Sequence, residues 1–278
     1  MYLPLAPVIA LLVAGAHGLG GWLQRRATVP PRVMTGVAAT TVAMTLVTLG
    51  ALTSQRNADY SSAVRLWSTA VRAQPDSPRA RVAYGEALAT AGQLPEAETQ
   101  LRAAVDLDPA SPVALVRLGT VQAAQGRFDD AVPALERALA LKPDDVDAHR
   151  ALGRAYAARR EDARAVPHLE RALGAQPDDP AVLVALATIF VASDDGSLRD
   201  PARAAELAQR AVQLTARRDP VALDILAGAQ AQSGRVEDAV RNDSEALALA
   251  RAQGNAGLAA QIEMRLQRYR EYQQLLGR

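Results

Sequence analysis

The sequence predicts an all-α protein: a two-helix transmembrane hairpin, then an α-solenoid of helix-turn-helix repeats, then a capping helix. Three observations carry this. The tetrapeptides Pro75-Asp76-Ser77-Pro78, Pro109-Ala110-Ser111-Pro112, Pro143-Asp144-Asp145-Val146 and Pro177-Asp178-Asp179-Pro180 return every 34 residues. Two runs without a charged side chain, 2–23 and 33–53, precede them. Hydrophobic residues make up 49% of the 278, yet aromatic ones only 4%, so the core must be built from alanine and leucine on closely packed helices.

The first element covers residues 1–56. At 1.5 Å rise per residue, each uncharged run is long enough to cross a hydrocarbon layer of about 30 Å. The connector 24–32 holds Arg25, Arg26 and Arg32 around a Pro-Pro pair, whereas only Arg56 follows the second span. The connector is therefore expected in the cytoplasm, with Asn57 onward on the far side of a bacterial inner membrane, in the periplasm. A cleaved signal peptide ending near Ala14-Gly15-Ala16 is a competing assignment, but no basic residue precedes its apolar run. Burial of both runs in a soluble domain is another, and charge-free stretches of this length argue against it. Thr35, Thr40, Thr41, Thr45 and Thr48 with Gly36 suit close helix packing better than a pore lining. His17 has no carboxylate partner in either span and is assigned to packing near an interface.

Charge divides the chain at the same place. Four arginines are the only charged side chains before Asp59; from Asp59 onward stand 27 basic and 30 acidic residues. Such a mildly acidic arm, with arginines dispersed among carboxylates, argues against a nucleic-acid footprint. The absence of cysteine excludes disulfides, thiolate metal sites and cysteine nucleophiles. His149 and His168, 19 residues apart on different helices, lack metal-ligand spacing and are taken as ordinary helix residues. No catalytic residue, metal or cofactor is expected.

Residues 57–77 form half a unit, a second helix alone, with Ala63, Trp67, Ala70 and Pro75 in phase; Trp67 is expected at the junction with the membrane part. Five full units follow, 78–111, 112–145, 146–179, 180–219 and 220–253. Each carries apolar residues at helical spacing on two short segments around a turn. Ser77, Ser111, Asp145, Asp179 and Asp219 stand where N-caps belong, four of them just before a proline in the first turn. Gly92, Gly126 and Gly234 mark inner turns, while Arg159-Arg160-Glu161-Asp162 replaces that glycine by a charged, solvent-exposed corner. Residues 194–201 lengthen the turn of the fourth unit by five residues, and their spacing does not match a calcium loop. Residues 254–278 are a polar-faced capping helix with Leu258, Ile262, Leu266 and Tyr269 along one side.

The unit 112–145, with Leu115, Leu118, Gly119, Ala131, Leu135, Ala138 and Pro143, resembles the tetratricopeptide repeat, where only Gln122 departs from type. Units 78–111 and 146–179 match through Tyr84, Gly85, Ala97, Leu101 and Pro109, and through Leu152, Gly153, Tyr156, Ala165, Leu169 and Pro177. The last unit is looser, with Asp243 where an aromatic is usual. The order of elements is also similar to the carboxyl end of membrane glycosyltransferase-like proteins with such repeats, through Tyr2-Leu3-Pro4, Gln55-Arg56-Asn57 and Leu66-Trp67. That resemblance implies extracytoplasmic repeats. With no carboxylate before Asp59, the chain lacks a general base or metal ligand in its membrane part, and so corresponds to a relative without catalysis or to the end of a longer enzyme.

The resemblance to the repeat family implies that first helices line a concave, partner-binding face. Arg79, Val82, Glu86, Val113, Val116, Thr120, Arg150, Arg154, Val184 and Thr188 project into it. The lysine and asparagine clamp of co-chaperone repeats is missing. Arg150 and Arg154, one turn apart, offer a place for an acidic peptide, or else pair with Asp147 and neighbouring carboxylates. The expected function is a non-catalytic, membrane-anchored scaffold for a protein or peptide partner; a fragment or accessory of a glycosyl-transfer system is the alternative.

Overall fold

A computed structural model describes residues 63–276, together with Met44 and Thr48. Both expected membrane spans and their connector lie outside the described residues. Among the described residues no helix is long and apolar enough to cross a membrane. The chain separates into two units, 1–69 and 70–278. In the first, the Thr48 hydroxyl donates to the Met44 carbonyl at 2.6 Å, and the helix α1 (Ala63–Ala73) begins there.

The second unit is an all-α solenoid with no strand among the described residues. Helices alternate as first and second members of pairs: α2 (Pro78–Thr90) with α3 (Leu94–Leu107), α4 (Pro112–Ala124) with α5 (Phe128–Leu141), and α6 (Val146–Ala158) with α7 (Asp162–Ala175). Then come α8 (Pro180–Ala192) with α9 (Pro201–Leu214), and α10 (Pro220–Gln232) with α11 (Val236–Ala252), before the long α12 (Ala256–Leu276). Each first helix also touches the first helix of the next pair.

The caps form as the sequence predicts. Side chains of Ser77, Ser111, Asp145, Asp179 and Asp219 accept from backbone N–H groups in the first turns of α2, α4, α6, α8 and α10, satisfying donors that a helix start leaves open. Asp200 does the same for α9, accepting from Arg203 N–H at 2.9 Å. First helices end in a repeated reverse turn in which Gln93, Arg127, Glu161 and Arg235 N–H donate to the carbonyls of Leu88, Gln122, Tyr156 and Gln230. The turn needs one residue in the left-handed region. Gly92, Gly126 and Gly234 supply it with φ of 77°, 76° and 79°; in the third pair Arg160 takes φ 62° without glycine's freedom.

Small residues set the spacing within each pair. A Cβ added at Gly85 meets Leu101 Cγ at 2.6 Å, one at Gly119 meets Leu135 Cγ at 2.6 Å, and one at Gly153 meets Leu169 Cγ at 2.7 Å. Where the fourth and fifth units carry Ala187 and Ala227 instead, the register partners are Ala208 and Asp243 rather than leucine. The extra methyl on one helix is matched by a smaller branch on the other, which conserves volume in a close-packed core.

The capping helix buries Ala259, Ile262 and Leu266. It is also held by charge. Arg265 donates through Nε and Nη2 to both oxygens of fully buried Asp243, at 2.8 and 2.6 Å, and pairs with Asp224 on α10. Burial pushes the Asp243 carboxyl above its usual range despite Arg265. Burial also opposes the Arg265 charge, yet its hydrogen bonds to Asp243 and Asp224 and the negative charge of both carboxylates outweigh it and hold the guanidinium well above its ordinary value. Asp243, out of place as a repeat residue, is thus the socket for α12.

Candidate functional site

The first-helix face is organised by a chain of ion pairs crossing three repeats. Arg117 on α4 donates through Nε to Glu86 on α2 and lies 3.5 Å from Asp147 on α6. Arg150 bonds Asp147 on its own helix and reaches Asp179, the cap of α8, at 3.2 Å. The hydrogen bond with Glu86 is the main cause of a raised Arg117 pKa. Arg117 was not among the residues projected into the face, although Glu86 and Asp147 stand close to one repeat length on either side of it and signal the bridge.

Of the sequence-predicted residues, Glu86 and Arg150 are therefore engaged within the protein. Val82, Val184 and Thr188 are half-buried, and Thr120 is exposed. The hydroxyls of Thr120 and Thr188 donate to the Val116 and Val184 carbonyls, each at 2.7 Å, so both present methyl groups and no spare donor. Val113 is 52% exposed and widens the apolar strip. Val116 does not belong to the open face: it is 3% exposed, because α4 packs between α2 and α6 and covers this side of its middle turn. Arg79 and Arg154 are exposed, with no hydrogen bond or ion pair to any described residue.

A second polar cluster joins α5, α6 and α7. His149 and His168, ordinary helix residues by their spacing in the sequence, face each other with Nδ1 atoms 2.8 Å apart, and His149 Nε2 meets the Pro143 carbonyl at 2.9 Å. Since that nitrogen must donate, Nδ1 of neutral His149 is a bare acceptor for the proton on His168 Nδ1. Burial foremost, then His149 and Arg164, lower the His168 pKa. Beside them the Tyr156 hydroxyl donates to Glu136 at 2.5 Å, while Arg164 lies 4.1 Å over its ring. Burial and Glu136 push that phenol up to about 12. A hydrogen-bonded network of this kind, with Tyr156 and His149 buried and Glu136 and Arg164 at its exposed rim, fixes how the three helices meet.

The charged corner of the third pair is less exposed than its letters imply. Asp162 is buried and accepts from Ser193 Oγ at 2.7 Å, and Arg160 pairs with Asp194 at 2.9 Å. The lengthened turn closes on itself: Asp195 accepts from the Ser197 N–H and hydroxyl, and Arg199 donates to the Ser193 carbonyl. Among the described residues no group of three or more His, Cys, Asp or Glu converges as a metal site.

Comparison with known proteins agrees with this architecture. A tetratricopeptide repeat model matches residues 50–112 and 116–180. No curated protein matches the sequence. Solved structures with the same fold include YrrB, described as a tetratricopeptide repeat protein with an unusual peptide-binding site, at 17% identity and TM-score 0.54 over 71% of this chain and 97% of that one. MamA from Desulfovibrio magneticus RS-1 aligns at 20% identity and TM-score 0.53, covering 63% and 96%. PilF of Pseudomonas aeruginosa aligns at 20% identity and TM-score 0.51, covering 70% and 96%. Residues 50–112 and 116–180 thus match the tetratricopeptide repeat, the helical arm shares the fold of these solved structures, and nothing in these matches supports a glycosyl-transfer role.

Proposed function

We propose that this solenoid is a non-catalytic scaffold, tethered to the membrane through residues 1–56, which holds a protein or peptide partner along the concave face of its first helices outside the cytoplasm. The observation that carries the proposal is the preorganised first-helix face. Its ion pairs run from Glu86 to Asp179 and lock the helices in register, while exposed Val113 and the methyl groups of Thr120 and Thr188 leave a shallow apolar strip. A rigid surface of this kind loses little entropy on binding an extended segment. Tethering rests on the two uncharged runs, and orientation on the arginines between them.

Photo-crosslinkers placed at Val113 and Thr120 of the full chain in cells test the groove. Capture of one protein from these positions, and not from Arg241 on α11, is the expected result; capture only from α11 would overturn it. Orientation is checked in spheroplasts, where added protease should digest the repeats and spare residues 24–32. Protection of the repeats reverses the topology.

A further inference from the structure

The charges on the first helices are unequally used. The three carboxylates carried by α2, α4, α6, α8 and α10 are Glu86, Asp147 and Asp224, and each is already bound by an arginine. Of the five arginines on those helices, Arg117 and Arg150 hold these acids or a neighbouring cap, and Arg81 donates to the Pro75 carbonyl and Gln100. Arg79 and Arg154 remain exposed, without a partner among the described residues. A cationic ligand therefore finds no free carboxylate on this face. An anionic one finds two free guanidinium groups, each able to take a carboxylate through parallel hydrogen bonds.

The spacing of the two arginines restricts the ligand further. Arg79 and Arg154 sit on α2 and α6, with α4 between them. At about 8–10 Å per packed helix, and with Arg154 roughly two turns further along its helix than Arg79, the two positions are roughly 20 Å apart. An extended chain covers that in about six or seven residues. Between them the face offers exposed Val113 and Thr120, whose hydroxyl proton is already used, so the intervening ligand residues meet apolar, undemanding surface.

Building on the groove assignment above, we propose that its occupant is an extended acidic peptide segment in which two carboxylates, about six or seven residues apart, bind Arg79 and Arg154. Arg154 stands one turn from Arg150, whose own acids pin it in place; the two guanidinium groups thus divide into one that holds the helices and one that reads the ligand.

The test uses the full chain and fluorescein-labelled ten-residue peptides of alanine and valine carrying two glutamates at separations of three, six or nine residues. Anisotropy titration should show the six-residue spacing binding at least fivefold more tightly than the others and than its glutamine counterpart. Arg154→Ala should weaken it about tenfold, Arg79→Ala severalfold, and Arg241→Ala not at all. Equal affinity for all spacings, for the glutamine peptide or for an oligothymidylate of the same charge overturns the proposal, as does an Arg154→Ala chain that binds normally. If crosslinking at Val113 captures a partner with no acidic segment, the groove stands and this inference fails. If no groove position captures anything, the groove assignment itself fails.

Discussion

At the scale of single residues, the interlock of glycine and leucine makes a quantitative prediction. Gly119→Ala drives a methyl into Leu135 and should cost about 1–3 kcal/mol, and Leu135→Ala about 2–5 kcal/mol through the cavity it leaves. The double variant reproduces the Ala187 and Ala208 arrangement of the fourth unit, so its loss in urea denaturation should be smaller than that of Leu135→Ala alone. Simple additivity would show that the two positions do not share one space. Arg265 invites a second test. Arg265→Met strands Asp243, which is 0% exposed, and removing one partner of a buried pair costs about 3–5 kcal/mol. The carboxyl already sits above its usual range in the native protein, and without Arg265 it rises further. A group whose folded pKa is raised stabilises the fold as pH falls toward and through that value. The variant should therefore recover part of its loss between pH 7 and pH 5. Continued loss over that interval would remove Asp243 as the cause.

At the scale of elements, two features of the third pair invite measurement. Arg160 occupies the left-handed position that glycine fills in three other units. Arg160→Gly relieves that strain while loosening the unfolded chain, and the net effect should be a melting temperature raised by roughly 1–3 °C; a decrease would mean that the ion pair with Asp194 outweighs the backbone. The histidine pair between α6 and α7 acts through pH. His168 has a folded pKa below its unfolded value because it is buried and faces His149, Arg164 and Arg171, with Glu136 in partial opposition. A basic group depressed in this way leaves stability intact above its unfolded pKa, near 6.5, and removes it as pH falls through that value, since protons bind the unfolded chain first. Melting should therefore drop between pH 7.5 and 5.5, with little of that drop remaining in His168→Gln, which keeps a donor toward His149. An identical drop in the variant places the sensitivity elsewhere.

At the scale of the whole molecule, most of the helical arm was legible because its causes are local and periodic: Ser77, Ser111, Asp145 and Asp179 cap where a proline-bearing turn repeats, and Gly85, Gly119 and Gly153 mark close helix pairs. What escaped depends on side chains some twenty to thirty positions apart. Nothing local in Arg117 points to Glu86 and Asp147, nor in His149 to His168, nor in Asp243 to Arg265. Helical spacing alone therefore places Val116 on the face, although its neighbours belong to other repeats, and does not distinguish which of Arg150 and Arg154 is free. The proposed scaffold function requires the partner to lie along the first helices. Amide hydrogen exchange of the full chain, alone and with the crosslinked partner bound, reads this directly. Protection should rise in α2, α4 and α6 around Arg79, Val113 and Arg154 and stay unchanged in α3, α5 and α7. Protection confined to the second helices would contradict it.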